Sequence, residues 1–368
     1  MRDDQSLQEI KWPEVFSLAF LNVAIVISWI AYHEYQPVLI EKFEIADLVY
    51  FLVGAKAIIL VITPPIAGLV ADYFLKTKGK YFTVFSVGIG STAMIFMVVA
   101  SLIGAGPSEL VNTMLPFMIV LWLVAMNLFI SPANSMIDSF APAKKIPIVA
   151  GFLFLITELV YALEPVVIDL VQFFGDTLTF IVGGVLIAGS GFVFHKVSSN
   201  EVMQRKQEMI HQQISKVSPM AYVSIIVIGL QLGLGKALLV EYFPYYVGIL
   251  VPDAAASANV YALGILAFTA VFAFVFSFIS TNINHTNGLL VGFGILLLGL
   301  FVGLMAMDLY TLILAASVLG ISFGMLNVLG LPFVFKNLNL RHITYGVGIF
   351  IGASELFTGL IEYYISCQ

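Results

Sequence analysis

The sequence predicts an all-α polytopic membrane protein built from two parallel helical repeats, with about eleven crossings, and three observations carry that expectation. The first is composition. Sixty per cent of the 368 residues are hydrophobic, mean hydropathy is +1.03 and only 10% are charged, more apolar material than one soluble core can hide. The second is run length. Apolar stretches of roughly 20 residues recur along the whole chain, the length a helix needs to cross the hydrocarbon. Backbone groups in lipid must be satisfied within the segment, and the runs lack the two-residue alternation of barrel strands, so they read as helices. The third is repetition. Glu34-Tyr35-Gln36-Pro37 returns as Glu241-Tyr242-Phe243-Pro244, Asn127-x4-Pro132 as Asn327-x4-Pro332, and Gly151-x6-Glu158 as Gly348-x6-Glu355. The offsets of 207, 200 and 197 keep the three matches in order. Two copies of one membrane unit explain that order, and in transporters such copies meet at a site near the bilayer midplane.

The crossings are expected at 14–40, 46–73, 81–104, 112–138, 146–170, 177–195, 219–247, 255–280, 287–305, 309–335 and 343–364. Charge, proline and glycine clusters punctuate the turns between them, as at Lys76 to Lys80 and Ala141 to Lys145. The long polar stretch His195 to Ser218 divides the chain into a six-helix half (1–195), a central loop (196–218) and a half of about five helices (219–368). In that loop Val202, Met209, Ile210 and Ile214 fall on one helical face, which suits a helix lying along the membrane surface; a flexible solvated connector is the alternative.

Basic residues set the expected orientation. With the N-terminus inside, Arg2, Lys11, Lys76, Lys78, Lys80, Lys144, Lys145, Lys196, Arg205, Lys206, Lys216, Lys336 and Arg341 all fall on the cytoplasmic side, and only Lys42 falls outside. The polar, acidic start of the chain lacks the basic n-region of a removable signal peptide. An inner-membrane, multi-pass protein follows, N-terminus cytoplasmic and Cys367 outside. That single cysteine excludes an intramolecular disulfide. The net charge of −6 resides in loops and tails and does not argue for nucleic acid.

Gly68-Leu-Val-Ala-Asp72, followed by Lys76, Lys78, Gly79 and Lys80, resembles the signature loop between the second and third helices of the major facilitator superfamily. The resemblance implies that fold over nearly the whole chain and gives Asp72 the task of binding a neighbouring helix N-terminus and gating closure. Two departures stand out: Tyr73 replaces the usual arginine after the aspartate, and the superfamily norm is twelve crossings. In that fold the twelfth helix is peripheral. The spacing from Asp72 to Gly79, and Asn127-Leu-Phe-Ile-Ser-Pro132 through Asp138 and Pro142, are similar to the sucrose and glycoside–cation symporter branch. There Asn134 and Ser135 stand where that branch carries an arginine. The Gly-Leu-Val-Ala-Asp stretch also resembles nucleoside–proton symporters, and Ile146 to Leu170 lacks the glycine-proline signature of drug–proton antiporters. The resemblance implies uptake or symport.

Charges inside apolar runs cost on the order of 2.5 to 3.5 kcal/mol each by insertion scales and so mark function by default. Glu34 and Glu241 occupy equivalent places in crossings 1 and 7, and Glu158 and Glu355 in crossings 5 and 11, while Lys56 and Lys236 are the only bases there. Four acids cannot all be matched by two bases. An unmatched acid in low dielectric holds its proton more tightly than in water, which a proton-coupled carrier requires. Glu158 and Glu355, without a local base, are the expected coupling acids, joined by His33. Glu34 is expected either to pair with Lys56 or to bind substrate. Lys236, five residues from Glu241, should meet an acid on another helix. Glu164, Asp169 and Glu362 read as solvated, and Asp72 and Asp138 as gates or caps.

Trp29, Tyr35, Gln36, Gln231 and Tyr242, with Glu34, Glu241 and the matched amides Asn127 and Asn327, form the expected substrate-binding set. Aromatic faces with amides and carboxylates suit a sugar or nucleoside; Tyr245 and Tyr246 fit an interfacial belt. Gly229-x3-Gly233 and Gly320-x3-Gly324 read as close helix contacts. No enzyme motif, P-loop or Cys–His metal spacing occurs, so neither cofactor nor metal is expected. The expected partners are the bilayer, a small solute and a proton (or sodium) as coupling ion, with the protein acting as a monomer. A transporter-like scaffold without transport is the alternative.

Overall fold

The computed structural model describes residues 9–43, 48–211, 217–252 and 257–366. Arg2, Ile214, Lys216 and Cys367 lie outside the described residues, as do the side chains of Lys206, Met209 and Ile210. Every regular element among the described residues is helical. Eleven of the helices are long and apolar enough to cross a membrane, the number expected. They are crossing 1 (Trp12–Lys42), 2 (Val49–Lys78), 3 (Phe82–Ala105), 4 (Glu109–Phe140), 5 (Ala143–Ala162), 6 (Glu164–Val197), 7 (Pro219–Leu250), 8 (Ala258–Ser280), 9 (His285–Leu304), 10 (Leu309–Asn337) and 11 (Ile343–Ile365).

The largest boundary shift falls between crossings 5 and 6, expected at 146–170 and 177–195. Crossing 5 stops at Ala162, and a new helix starts at Glu164 with Pro165 in its first turn, where a proline's missing N–H costs nothing. That helix breaks at Gly175, whose φ of 73° and ψ of 174° suit glycine almost alone. Hydropathy could not separate these pieces, because Val166 to Val171 are as apolar as a span. Crossing 4 is also interrupted: Glu109–Leu128 is followed by the short helices Ile130–Asn134 and Ile137–Phe140. The two copies of Glu-Tyr-x-Pro behave differently. Pro37 lies inside an unbroken helix, whereas Pro244 follows a π-helical turn over Leu238–Tyr242 that carries Glu241. Such widened turns cluster at functional positions.

Crossings 1 to 6 pack among themselves, as do 7 to 11, and the two sets meet along crossings 2 and 11 and along crossings 5 and 8. The first seam is built on absent side chains. A Cβ on Gly68 would strike the Thr344 carbonyl, and one on Gly348 the Pro64 carbonyl. On its other side crossing 11 receives Gly229 and Gly233 of crossing 7 against the carbonyls of Phe350 and Ser354, so the first predicted close contact is found. Gly320 and Gly324 likewise abut Thr269 and Ala273 of crossing 8. Crossing 11 is thus held between crossings 2 and 7 with almost no space on either side.

The helix Ser199–His211 in the central loop does not lie apart on the membrane surface and is not a flexible tether over that length. Val202, Glu201 and Arg205 are buried against the first six crossings. Val202, the described member of the face that suggested lipid, is turned to protein instead. This side of the molecule, where crossings 1, 3, 5, 7, 9 and 11 begin, is called the connector face below; the other is the far face.

Candidate functional site

Crossing 11 organises the charges. Glu355 and Glu362 are seven residues apart, two helical turns, and so share one face. Glu355 accepts from Lys236 of crossing 7 at 2.8 and 3.0 Å, and Glu362 accepts from Lys56 of crossing 2 at 2.8 Å. Lys56 is 4% exposed, and its ammonium sits 5.9 Å from the Trp29 ring centre and 5.8 Å from that of Tyr32. Two aromatic faces and one carboxylate therefore replace its water. Glu355 lies twelve residues, about 18 Å, into its helix, near mid-membrane depth.

Around these pairs stand His33, Glu158 and Glu241. The charges of Lys56 and Lys236 both reach His33, and Glu241 lies within range of both lysines and of Glu355 and Glu362. Lys236 is the base whose charge reaches Glu158, which is 8% exposed. With the lysines matched by Glu355 and Glu362, Glu158 and Glu241 are the acids of this cluster that make no ion pair among the described residues. Tyr161, one turn from Glu158, faces the same charges. His33 is exposed and Trp29, Lys236, Glu241 and Glu355 are half-buried, so the cluster is accessible.

Several expectations need correction. Glu34 does not pair with Lys56; it accepts from the Gln172 side-chain amide at 2.9 Å. Glu362 is not a solvated surface acid, since it holds Lys56. Glu355 does not lack a base, because Lys236 reaches it across the helix interface, as an acid partner on another helix had been expected for that lysine. Asn127 is 1% exposed and donates to the Leu123 carbonyl of its own helix, which takes it out of any accessible site. The Tyr35 hydroxyl donates to the Val171 carbonyl and fastens the start of crossing 6. Gln36 lines an apolar cleft, partly open to the surroundings, between crossings 1, 3, 4 and 6. Tyr242 stacks on Tyr246 beside a second apolar cleft. Gln231 and Asn327 are half-buried. Of the expected substrate set, Trp29 and Glu241 gather at the charge cluster.

The connector face is closed by polar bonds between the two sets of crossings. Asp72 accepts the backbone N–H of Tyr345, in the first turn of crossing 11, at 2.9 Å. A carboxylate at a helix N-terminus is favoured by the unsatisfied N–H groups and the helix dipole there. Glycine at 68, one turn earlier, lets the two backbones come close enough for that bond. The Tyr81 hydroxyl bonds the Pro132 carbonyl at 2.9 Å, the Ser135 hydroxyl, and the Thr344 hydroxyl of crossing 11 at 3.3 Å. Burial pushes the Tyr81 phenol above its ordinary range, so it stays a neutral donor. Asp138 is buried nearby in Ile137–Phe140. Crossings 1 and 7, by contrast, make little contact with each other.

Sequence reasoning missed Glu362, Gln172, Tyr81 and Arg205. Two signals were available: the seven-residue spacing of Glu355 and Glu362, and an arginine at 205 on the apolar face that begins at Val202.

No protein-family model and no curated protein matches the chain by sequence. Solved structures do match in shape. A proton:xylose symporter of the major facilitator superfamily, bound to 6-bromo-6-deoxy-D-glucose, aligns over 97% of this chain and 88% of its own, with a TM-score of 0.65 and 13% identity. The chain has the major facilitator fold. The human organic anion transporter MFSD10 aligns over 96% of this chain and 92% of its own, with a TM-score of 0.67 and 9% identity. At such identities the shared fold is what is established, and the sucrose-type branch has no support from either likeness.

Proposed function

We propose that this chain is a secondary transporter that moves a small polar organic solute, sugar- or nucleoside-like, across the cytoplasmic membrane by alternating access and proton symport. The observation that carries the reading is the accessible charge cluster at membrane depth between the two sets of crossings, in a major facilitator fold. Proteins avoid unmatched charge at membrane depth unless function needs it. The proposed orientation places the connector face in the cytoplasm, which makes this conformation closed inwards, with the cluster reached from outside. Two neighbours of the same fold, described as a proton:xylose symporter and an organic anion transporter, support carriage of a polar organic solute.

Coupling follows from Lys236 having two acids within range. Glu355 shares the second set of crossings with Lys236, whereas Glu158 belongs to crossing 5 of the first set. A deprotonated Glu158 draws Lys236 across the interface; a protonated one leaves it to Glu355. Protonation thereby changes how strongly the two sets hold together, and a ligand shifts two states only by such differential interaction. Trp29 supplies a ring for stacking, and Glu241 and His33 supply hydrogen-bonding groups to hydroxyls. Asp72, with Asp138 behind it, gates the connector face.

Uptake by whole cells of a panel of labelled sugars and nucleosides, with and without a protonophore, tests the reading. Protonophore-sensitive accumulation of one of them is expected. Uptake no greater than in cells lacking the chain, for every member of the panel, removes it and favours the scaffold.

A further inference from the structure

We propose that Arg205 is the positioning residue of the closed connector face: the connector helix lends the seam the cation that the chain lacks at Tyr73 and Asn134. The proposal rests on the reading that the two sets of crossings move against each other. Arg205 is 1% exposed and heads the largest fully buried side chains of the described residues. Its Nη1 donates to the Ser135 carbonyl at 3.0 Å, and its guanidinium lies 5.0 Å from the centre of the Tyr81 ring. Tyr81 is the side chain whose hydroxyl joins crossing 4 to Thr344 of crossing 11. Asp72, bonded to the N–H of Tyr345, feels the Arg205 charge.

Nε and Nη2 of Arg205 and Oδ1 of Asp72 are buried without hydrogen-bond partners. Two ionised groups of opposite sign therefore face one seam with bonding capacity to spare, and buried charges persist only when such a counter-charge stabilises them. Opening the connector face would carry Thr344 and Tyr345 away from Tyr81 and Asp72. The Asp72 carboxylate would then lose its helix terminus. Arg205 thus holds the two first-set partners in the geometry that captures crossing 11. A guanidinium suits the task where an ammonium does not, because its plane can lie on a ring while its edge donates.

The connector helix is fixed where it must be to deliver this side chain. Glu201, 6% exposed, pairs with Lys11 at the base of crossing 1, and the Lys11 backbone N–H donates to the Phe140 carbonyl at 2.8 Å. Val202, three residues before Arg205, is buried on the same face. The connector is tied to the first set at both crossing 1 and crossing 4, so its arginine travels with that set.

The test uses the full chain in lipid nanodiscs, with Cys367→Ser and spin labels on cysteines at Lys80 and Lys336, both exposed on the connector face. The expected wild-type distance distribution is dominated by a short component with a longer minority. Arg205→Gln is expected to move at least half of the population to the longer distance, and Arg205→Lys to restore less than half of the loss. Lys11→Met, which loosens the connector but keeps the arginine, should shift the population the same way by a smaller amount and serves where Arg205→Gln does not fold. Variants with the wild-type distribution, in a wild type that shows both distances, overturn the role of Arg205 alone. A single distance in wild type and all variants, whatever the pH or solute, overturns the moving-halves reading together with it.

Discussion

Lys236 and Lys56 show what single residues can and cannot announce in such a chain. Both stood out as bases in apolar runs, and both are ion-paired, but the partner of Lys56 had been sought on crossing 1 and lies on crossing 11. Sequence shows that a charge needs a partner; only the packing shows which helix brings it. Polar residues that can satisfy themselves were read wrongly for a related reason. The Asn127 amide spends its N–H four residues back on its own helix, and nothing in the one-dimensional pattern distinguishes that from an amide offered to a ligand. Removing one member of a buried ion pair strands the other, a loss on the order of 3 kcal/mol. Lys56→Met should therefore lower the stability of the purified protein by about that much, while Lys56→Met with Glu362→Leu recovers most of it. Thermal unfolding of the four forms closes the cycle, and equal losses for the single and double variants would mean that the pair is not the stabilising contact.

At the scale of elements, the helices were legible because run length and proline–glycine punctuation are local properties. Their interruptions were less so. Gly175 breaks crossing 6 at a backbone conformation open to glycine and to little else, so Gly175→Ala is expected to cost about 2 kcal/mol, read as a drop in melting temperature. Gly348→Val should do more harm by another route, since its side chain would drive crossing 11 off the Pro64 carbonyl; a loss of about 3 kcal/mol is expected. A pH effect belongs to the loop before crossing 11. Burial, then the charges of Lys76 and Arg341, hold the His342 imidazole below its ordinary range of about 6.5. The unfolded chain therefore takes up a proton there before the folded chain does. This contribution to stability is complete above about pH 6.5 and declines as the pH falls below it. His342→Gln should flatten that part of the melting-temperature profile between pH 7.5 and 5, and an unchanged profile would place the titration elsewhere.

For the whole molecule, the repeat of three short strings and the signature around Asp72 foretold the fold that the shape comparison established. The same symmetry makes a further demand. Crossings 1–5 should superpose on crossings 7–11 about an axis along the membrane normal, pairing Glu34 with Glu241 and Glu158 with Glu355; pairs at different depths would contradict the duplication. Function breaks that symmetry: Glu355 is ion-paired to Lys236, whereas Glu158 makes no ion pair among the described residues. Glu158 is therefore the acid to test. With the solute found by uptake, proteoliposomes carrying wild type or Glu158→Gln would be compared for accumulation driven by an imposed proton gradient and for downhill exchange of labelled against unlabelled solute. Proton-driven accumulation should vanish in Glu158→Gln while exchange continues at a rate within a few-fold of wild type. Accumulation at the wild-type level in Glu158→Gln would contradict proton coupling through this acid.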